Sequence, residues 1–462
     1  MIIRHGGAGR LRRSFAPAGR LAATLSLAWL LGTALLLLPA ARVDPGGAAL
    51  IESAFTAASA LCVTGLTVVD TQFYWTHFGQ GVILGLIQVG GLGVMLIATL
   101  LAFAVSKRVG MGMRLGLQAE LHDSGTGGAR GTLGVVRRII AMTMLIETVT
   151  AAVLALRFMA AHHMGAGQAL WYGAFHSVSA FNNAGFGLRS DNLTPFASDP
   201  WILVPISINV IVGGLGFPVL MELRRHWRLP REWHLTTRVV VVVTPLLLLI
   251  GTLVFWLLER ENPETLGPMS TPDALLNAFF HSTIARTAGF NSVDIGALDP
   301  ATLFALDGLM FIGGGPAGTA GGIKVTTFTV IIAVAMAEIL GARAVNIFGR
   351  RLARSVHREA LTVMTLASLI TMTATFTLLI LERDLVIEHG AALDAVVFEA
   401  VSAFSTVGLS TGITPQLSPT GQVLIMLLMF TGRLGPVTLA AALAVRPRPA
   451  RYELPRERLF IG

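Results

Sequence analysis

The sequence predicts an all-α membrane protein built from four tandem helix–pore-loop–helix repeats, eight transmembrane helices in all, around a pseudo-fourfold central pore. Three observations predict it. The 462-residue chain is 53% hydrophobic and 13% charged, with a mean hydropathy of +0.70, whereas soluble domains carry about 25% charged residues. Eight apolar runs reach the roughly 20 residues that cross a hydrocarbon core. A short pattern recurs four times along the chain, always between two of those runs.

In chain order the runs are Leu21–Ala40, Gly79–Val105, Val135–Ala161, Pro200–Met221, Thr237–Leu258, an interrupted Ala301–Leu340, Leu361–Leu381 and Gly421–Val445. The first follows a basic start, but it is longer than the 7–15 apolar residues of a secretory leader. It reads as the opening helix of the first repeat. Basic residues cluster at 1–20, 106–138, 222–238, 341–358 and 446–462, and acidic residues dominate the segments between. Under the positive-inside rule those clusters, both termini included, face the cytoplasm of a cell-membrane protein. The net charge of +8 thus reports topology and a lipid-bilayer partner, with no nucleic acid implied. The single cysteine, Cys62, excludes an internal disulfide framework and suits the end of a pore helix.

The recurring pattern is a Phe, a hydroxyl residue four positions on, and a Gly ten positions on: Phe55/Ser59/Gly65, Phe175/Ser179/Gly185, Phe279/Thr283/Gly289 and Phe398/Ser402/Gly408. One such loop reads as a membrane turn, but four in order imply equivalent units. Glycine adopts backbone angles that let carbonyls turn toward a common centre, and rings of carbonyls replace the hydration shell of potassium. Lipid cannot satisfy an irregular backbone, so each loop must be buried in protein or line a water-filled cavity. The residues after the glycines, Leu66, Phe186, Phe290 and Leu409, suit packing behind it.

A second glycine signature follows each loop, at Gly90–Gly93, Gly213–Gly216, Gly313–Gly318 and Gly432–Gly435. In the first two repeats close helix packing explains it. In the third, GGGPAGTAGGIK from Gly313 to Lys324 sets Gly313, Gly314, Gly315, Gly318, Gly321 and Gly322 with Pro316 inside a span, too many breakers for a continuous helix. A helix broken at membrane depth reads as an ion site or a moving part. Arg433 stands where the other signatures have Gly, and an intramembrane Arg faces the bundle interior. Lys324 either joins it or reaches the cytoplasmic surface. Glu147 is either the counter-ion of Arg433 or a hydrogen-bond partner.

His176 and His281, beside Ser177 and Ser282, superficially suggest an intramembrane hydrolase. Adjacent helical residues project in different directions and no third orienting group is evident, so the chain is not read as an enzyme. The repeats run parallel, with every motif on the acidic side, which argues against an inverted-repeat carrier.

The series VTGL, NAGF, TAGF and TVGL, with ARTAGF in the third unit and the GGxPxGTAGGIK stretch after it, resembles the Trk/Ktr/HKT superfamily of potassium transporters. The likeness runs from about Leu21 to Val445. With no extra pair of spans before the first repeat, the chain is most similar to the Ktr-type membrane subunit. The resemblance implies a selectivity filter with glycines Gly65, Gly185, Gly289 and Gly408. It implies that carbonyls of Val63, Thr64, Asn183, Ala184, Thr287, Ala288, Thr406 and Val407 coordinate K⁺, the transported ion. It makes 313–324 an intramembrane gating loop, with Lys324 and Arg433 beside it. It further implies a homodimer and a cytosolic ring of nucleotide-binding regulatory subunits, with Na⁺ an activator or coupled ion. Sodium-preferring relatives carry Ser at the first filter glycine, so Gly65 favours potassium; a sodium-selective or poorly selective cation pathway is the alternative. The units then read as a cytoplasmic tail at 1–20, repeats at 21–111, 112–226, 227–345 and 346–445, and a second tail at 446–462.

Overall fold

The computed structural model describes residues 8–44, 46–106, 129–388 and 393–444, with side chains for 22–44, 46–96, 134–385 and 393–435. The tail expected at 446–462 and most of the basic cluster at 106–138 lie outside those residues. What is described is mostly helical. The first quarter holds α1 (Ala8–Leu36), α2 (Leu50–Cys62) and α3 (His77–Ser106). The second holds α4 (Ala129–His162), α5 (Ala166–Phe181), α6 (Pro200–Leu215) and α7 (Phe217–His226). The third holds α8 (Leu235–Glu259), α9 (Thr271–Ile284), α10 (Pro300–Phe311) and α11 (Val325–Ile339). After a small hairpin, β1 (Asn346–Ile347) against β2 (Arg350–Arg351), come α12 (Arg354–Leu381), α13 (Arg383–Glu388), α14 (Leu393–Ser405) and α15 (Pro419–Ala444).

Among the described residues four helical stretches are long and apolar enough to cross a membrane, His77–Leu96, Gly134–His162, Leu235–Glu259 and Arg354–Leu381. The pair α6 and α7 makes a fifth only if counted as one bent span. That bend corrects the continuous run expected over Pro200–Met221: the two helices meet at 99°. The cause is local. Gly216 sits at φ +91°, and Pro218 has no N–H to donate to Gly214, four residues back. The helix α1 also begins at Ala8, inside the stretch read as a tail.

Pro200, Pro300 and Pro419 open α6, α10 and α15, where a missing N–H costs nothing. The residue before each proline is fixed by hydrogen bonds. Asp199 accepts from the Trp201 N–H at 3.0 Å, Asp299 N–H donates to Glu259 at 3.0 Å, and Ser418 N–H donates to Glu382 at 3.1 Å. The last two tie the later helix of the third and fourth quarters to the end of the earlier one, and in the second quarter Asp199 does so by accepting from Arg157 at 2.8 Å.

Packing between quarters follows one rule. The helix after each loop contacts the short helix of the next quarter: α3 touches α5, α6 touches α9, α10 touches α14 and α15 touches α2. The short helices α2 and α14 bury 10 of 13 residues each, and α5 and α9 bury 9 of 16 and 8 of 14; Phe55, Phe175, Phe280 and Phe398 are fully buried. The third of these is Phe280 rather than the motif's Phe279, which is half-buried.

Candidate functional site

Each short helix ends in a loop with the same backbone signature. Val63, Asn183, Thr287 and Thr406 have φ of 57°, 60°, 92° and 50°, and two positions later Gly65, Gly185, Gly289 and Gly408 have 97°, 69°, 63° and 95°. Left-handed backbone costs a non-glycine residue about 1–2 kcal/mol, and β-branched Val and Thr seldom adopt it. Alternating φ signs turn successive carbonyls to one side of the chain. The same strain at the same place in four loops marks a shared geometric requirement.

The loops meet in a closed ring. A methyl group on Gly65 would collide with the Ala184 carbonyl oxygen, one on Gly185 with that of Ala288, on Gly289 with that of Val407, and on Gly408 with that of Thr64. Every glycine therefore abuts the carbonyl preceding the glycine of the next loop, and the fourth returns to the first. The eight residues expected to present carbonyls are all buried, and the Asn183 amide meets the Thr287 hydroxyl at 3.1 Å across two loops. Four helix C-termini converge on this ring, and each such end carries a partial negative charge of about half a unit, which favours a cation.

The loops are not anchored identically. Thr64, Ala184 and Val407 donate to the carbonyls of Ser59, Ser179 and Ser402 at 2.8, 2.7 and 2.9 Å, all five residues back, whereas Ala288 donates to Ile284, four back. The third loop is thus one residue shorter, and Ile284, not Thr283, matches the serines. Thr283 instead bonds the Phe279 carbonyl at 2.9 Å. Ser59 and Ser402 also accept from the N–H of Gly65 and Gly408 at 3.1 Å each, while the Ser179 hydroxyl has no partner.

Directly beside this ring lies the broken stretch of the third quarter. It folds back on itself: Gly313 N–H donates to Ile323 at 2.8 Å, Ile323 to Phe311 at 3.2 Å and Val325 to Gly314 at 3.0 Å. It then docks on the bend of the second quarter, where the carbonyls near the end of α6 lack helical partners. Gly315 N–H fills the Gly214 carbonyl at 2.8 Å and Thr319 N–H that of Gly213 at 3.2 Å, while Phe217 N–H donates to Ala317 at 3.4 Å. Added methyls on Gly314, Gly315 and Gly318 would strike the backbone of 213–215, and one on Gly321 would strike Thr406. The second signature therefore does more than pack helices: it supplies the loop's hydrogen-bond acceptors. Pro218, two residues after that signature, is the sequence signal that this required.

Three cations hold the loop through its carbonyls. Arg433 donates to Thr319 and, at 3.3 Å, to the Gly90 carbonyl of the first quarter. The Lys324 ammonium turns back to Ala320 rather than away to the surface. Arg286 donates to Gly313 at 3.0 Å. No salt bridge involves any of the three among the described residues. Glu147 is accordingly not the counter-ion of Arg433; it accepts from Gln88 at 3.2 Å and from Asn182 at 3.1 Å. Arg286 carries no assignment in the sequence reading, although an arginine inside a membrane segment is itself the warning.

Ser177 and Ser282 donate to the carbonyls of Glu147 at 2.6 Å and Leu248 at 2.8 Å, not to histidines. His176 bonds the Tyr172 carbonyl at 2.8 Å, and His281 stacks on Phe255 and meets Ser292 at 3.2 Å. Both histidines brace short helices. The described residues contain no group of three or more His, Cys, Asp or Glu arranged to hold a metal.

Apolar helices, a buried ring of loop carbonyls and buried cations beside it define a helical, multi-pass membrane protein of an ion-translocating type. Residues 42–452 match the family described as TrkH, cation transport protein. The chain is 38% identical to the Ktr system potassium uptake protein B of Vibrio alginolyticus, over 93% of this chain and 91% of that one. It is also 38% identical to the protein of the same name from Bacillus subtilis (strain 168), over 97% of each. It is 33% identical to the potassium/sodium uptake protein NtpJ of Enterococcus hirae, over 98% and 99%. The fold resembles the crystal structure of the potassium transporter TrkH from Vibrio parahaemolyticus, with a TM-score of 0.70 and 17% identity over 95% of this chain and 86% of that one. The chain belongs to the TrkH family of cation transport proteins, a family of transporters and not of enzymes.

Proposed function

We propose that this chain is the potassium-selective pore of a Ktr-type uptake system in the cell membrane. Its four repeats, 21–111, 112–226, 227–345 and 346–445, surround one pore as eight transmembrane helices, some of them broken. The carbonyls of residues 63–64, 183–184, 287–288 and 406–407 strip and replace the hydration shell of K⁺, and Gly65, Gly185, Gly289 and Gly408 hold them in register. The observation that carries this reading is the closed contact from each glycine to the next loop's carbonyl. Loop 313–324 with Lys324 and Arg433 gates the path: three positive charges beside the ring oppose a cation until the loop moves. Arg224–Arg238 and Arg343–Arg358 place the ends of α7, α8 and α12 on the cytoplasmic side, which sets both termini there. A homodimer and a separate cytosolic nucleotide-binding ring complete the assembly, in keeping with relatives named as parts of a Ktr system.

A sodium-accepting pathway is the competing reading, favoured by the likeness to a potassium/sodium uptake protein. Flux of K⁺, Rb⁺ and Na⁺ measured separately in liposomes decides between them. Potassium and rubidium flux well above sodium flux is expected, and equal or sodium-dominated flux overturns the potassium assignment.

A further inference from the structure

Of the three cations around loop 313–324, Arg286 alone belongs to a filter loop, one residue before Thr287. The residue is 7% exposed. One guanidinium nitrogen donates to the Gly313 carbonyl at 3.0 Å, and its Nε has no partner. It lines a recess of about 20 Å³ with Asn183, Thr244, Thr283, Leu215 and Gly314. The Thr244 hydroxyl there is also unpartnered. A buried guanidinium with one acceptor depends heavily on that acceptor, because losing it leaves the charge with none. Gly313 is where the gating loop leaves α10, so the bond joins the start of the gate to the third filter loop. That filter loop is the one shorter by a residue, and it lacks the serine-to-glycine bond of the first and fourth.

We propose that Arg286 is a positioning residue that couples the filter to the gate: its bond to Gly313 holds the loop docked and, through the same side chain, fixes the backbone of Thr287–Gly289. Release of the loop then loosens the third quarter of the filter, so ion discrimination changes with the state of the gate. This rests on the filter and gate reading above and adds the link between them.

The single native cysteine makes the test direct. In a Cys62→Ser, Ala317→Cys background, the rate of labelling by a thiol reagent reports loop release, and the K⁺/Na⁺ flux ratio in liposomes reports the filter. Arg286→Gln is expected to raise labelling about tenfold and to lower the flux ratio several-fold, the scale of one charge-assisted hydrogen bond. Arg286→Lys, which keeps a donor, is expected to move both in the same direction by less, and it carries the test if Gln is not tolerated. A change in the ratio with labelling unchanged, a change in labelling with the ratio unchanged, or no change in either overturns the coupling. The gate reading fails on a different result, a folded loop deletion with no gain in basal flux.

Discussion

The third quarter and the other three use the same glycine for different ends. In the first, second and fourth quarters, the first position of the second signature (Gly90, Gly213, Gly432) lies against a carbonyl at the end of its own short helix, Leu61, Phe181 or Phe404. In the third, Gly313 lies against Gly321 of its own folded-back loop. One close approach packs a helix; the other closes a loop beside the ring of loop carbonyls. The difference teaches that the loop proposed as the gate is a modified packing contact, placed where the other three quarters simply seal helix to helix.

The sharpest way to break that comparison is to shorten the loop. Deleting 316–321 removes the acceptors of Arg433 and Lys324 and should raise potassium flux on the order of a hundredfold, given two charge-assisted hydrogen bonds of about 1.5–3 kcal/mol each; it keeps the Gly313 carbonyl that Arg286 holds, so the K⁺/Na⁺ ratio should stay near wild type. A folded deletion with unchanged flux would mean that the third quarter only packs, like the others.

Arg433→Gln should act in the same direction, raising flux about tenfold by removing a charge and its bond to Thr319. Flux at or below wild type in a folded mutant would make Arg433 a brace between the first and third quarters. A smaller effect separates the loops from one another. Ser59→Ala and Ser402→Ala each remove a bond to a filter glycine, at about 1 kcal/mol, and should lower discrimination a few-fold. Ser179→Ala and Thr283→Ala should change it little, and equal effects at all four sites would contradict the difference in anchoring.

How far the sequence reveals this depends on which residues are read. Four glycines at similar spacing identified the loops, and Arg433 within a glycine pattern marked a buried charge. The shorter third loop was hidden because Phe279 and Phe280 are adjacent, so the motif fits at Phe279 while Phe280 takes the buried place. The bend at Gly216 was hidden because Pro218 can open a new helix as readily as end an old one. Arg286 went unassigned because its acceptor, the Gly313 carbonyl, is distant in sequence and any residue carries a carbonyl.

The smallest expected effect lies at the edge of the second quarter. Burial pushes the Asp199 carboxyl up, but bonds from Arg157 at 2.8 Å and His162 at 3.0 Å outweigh it and hold it below the ordinary carboxylate value. A depressed native value stabilises the fold above the unfolded carboxylate range near pH 4 and loses that contribution as pH falls through the native value. Asp199→Asn should therefore flatten the acid limb of a thermal-stability profile slightly, with transport selectivity unchanged.

The measurement that most directly tests the shared ring is a K⁺/Na⁺ flux ratio in liposomes for Gly65→Ser, Gly185→Ser, Gly289→Ser and Gly408→Ser, each purified and folded. Because every one of these glycines abuts the next loop's carbonyl at a backbone angle that side chains resist, all four ratios should fall well below wild type. A folded set in which the ratio is unchanged, or falls at one position alone, would contradict a single filter built from four equivalent loops.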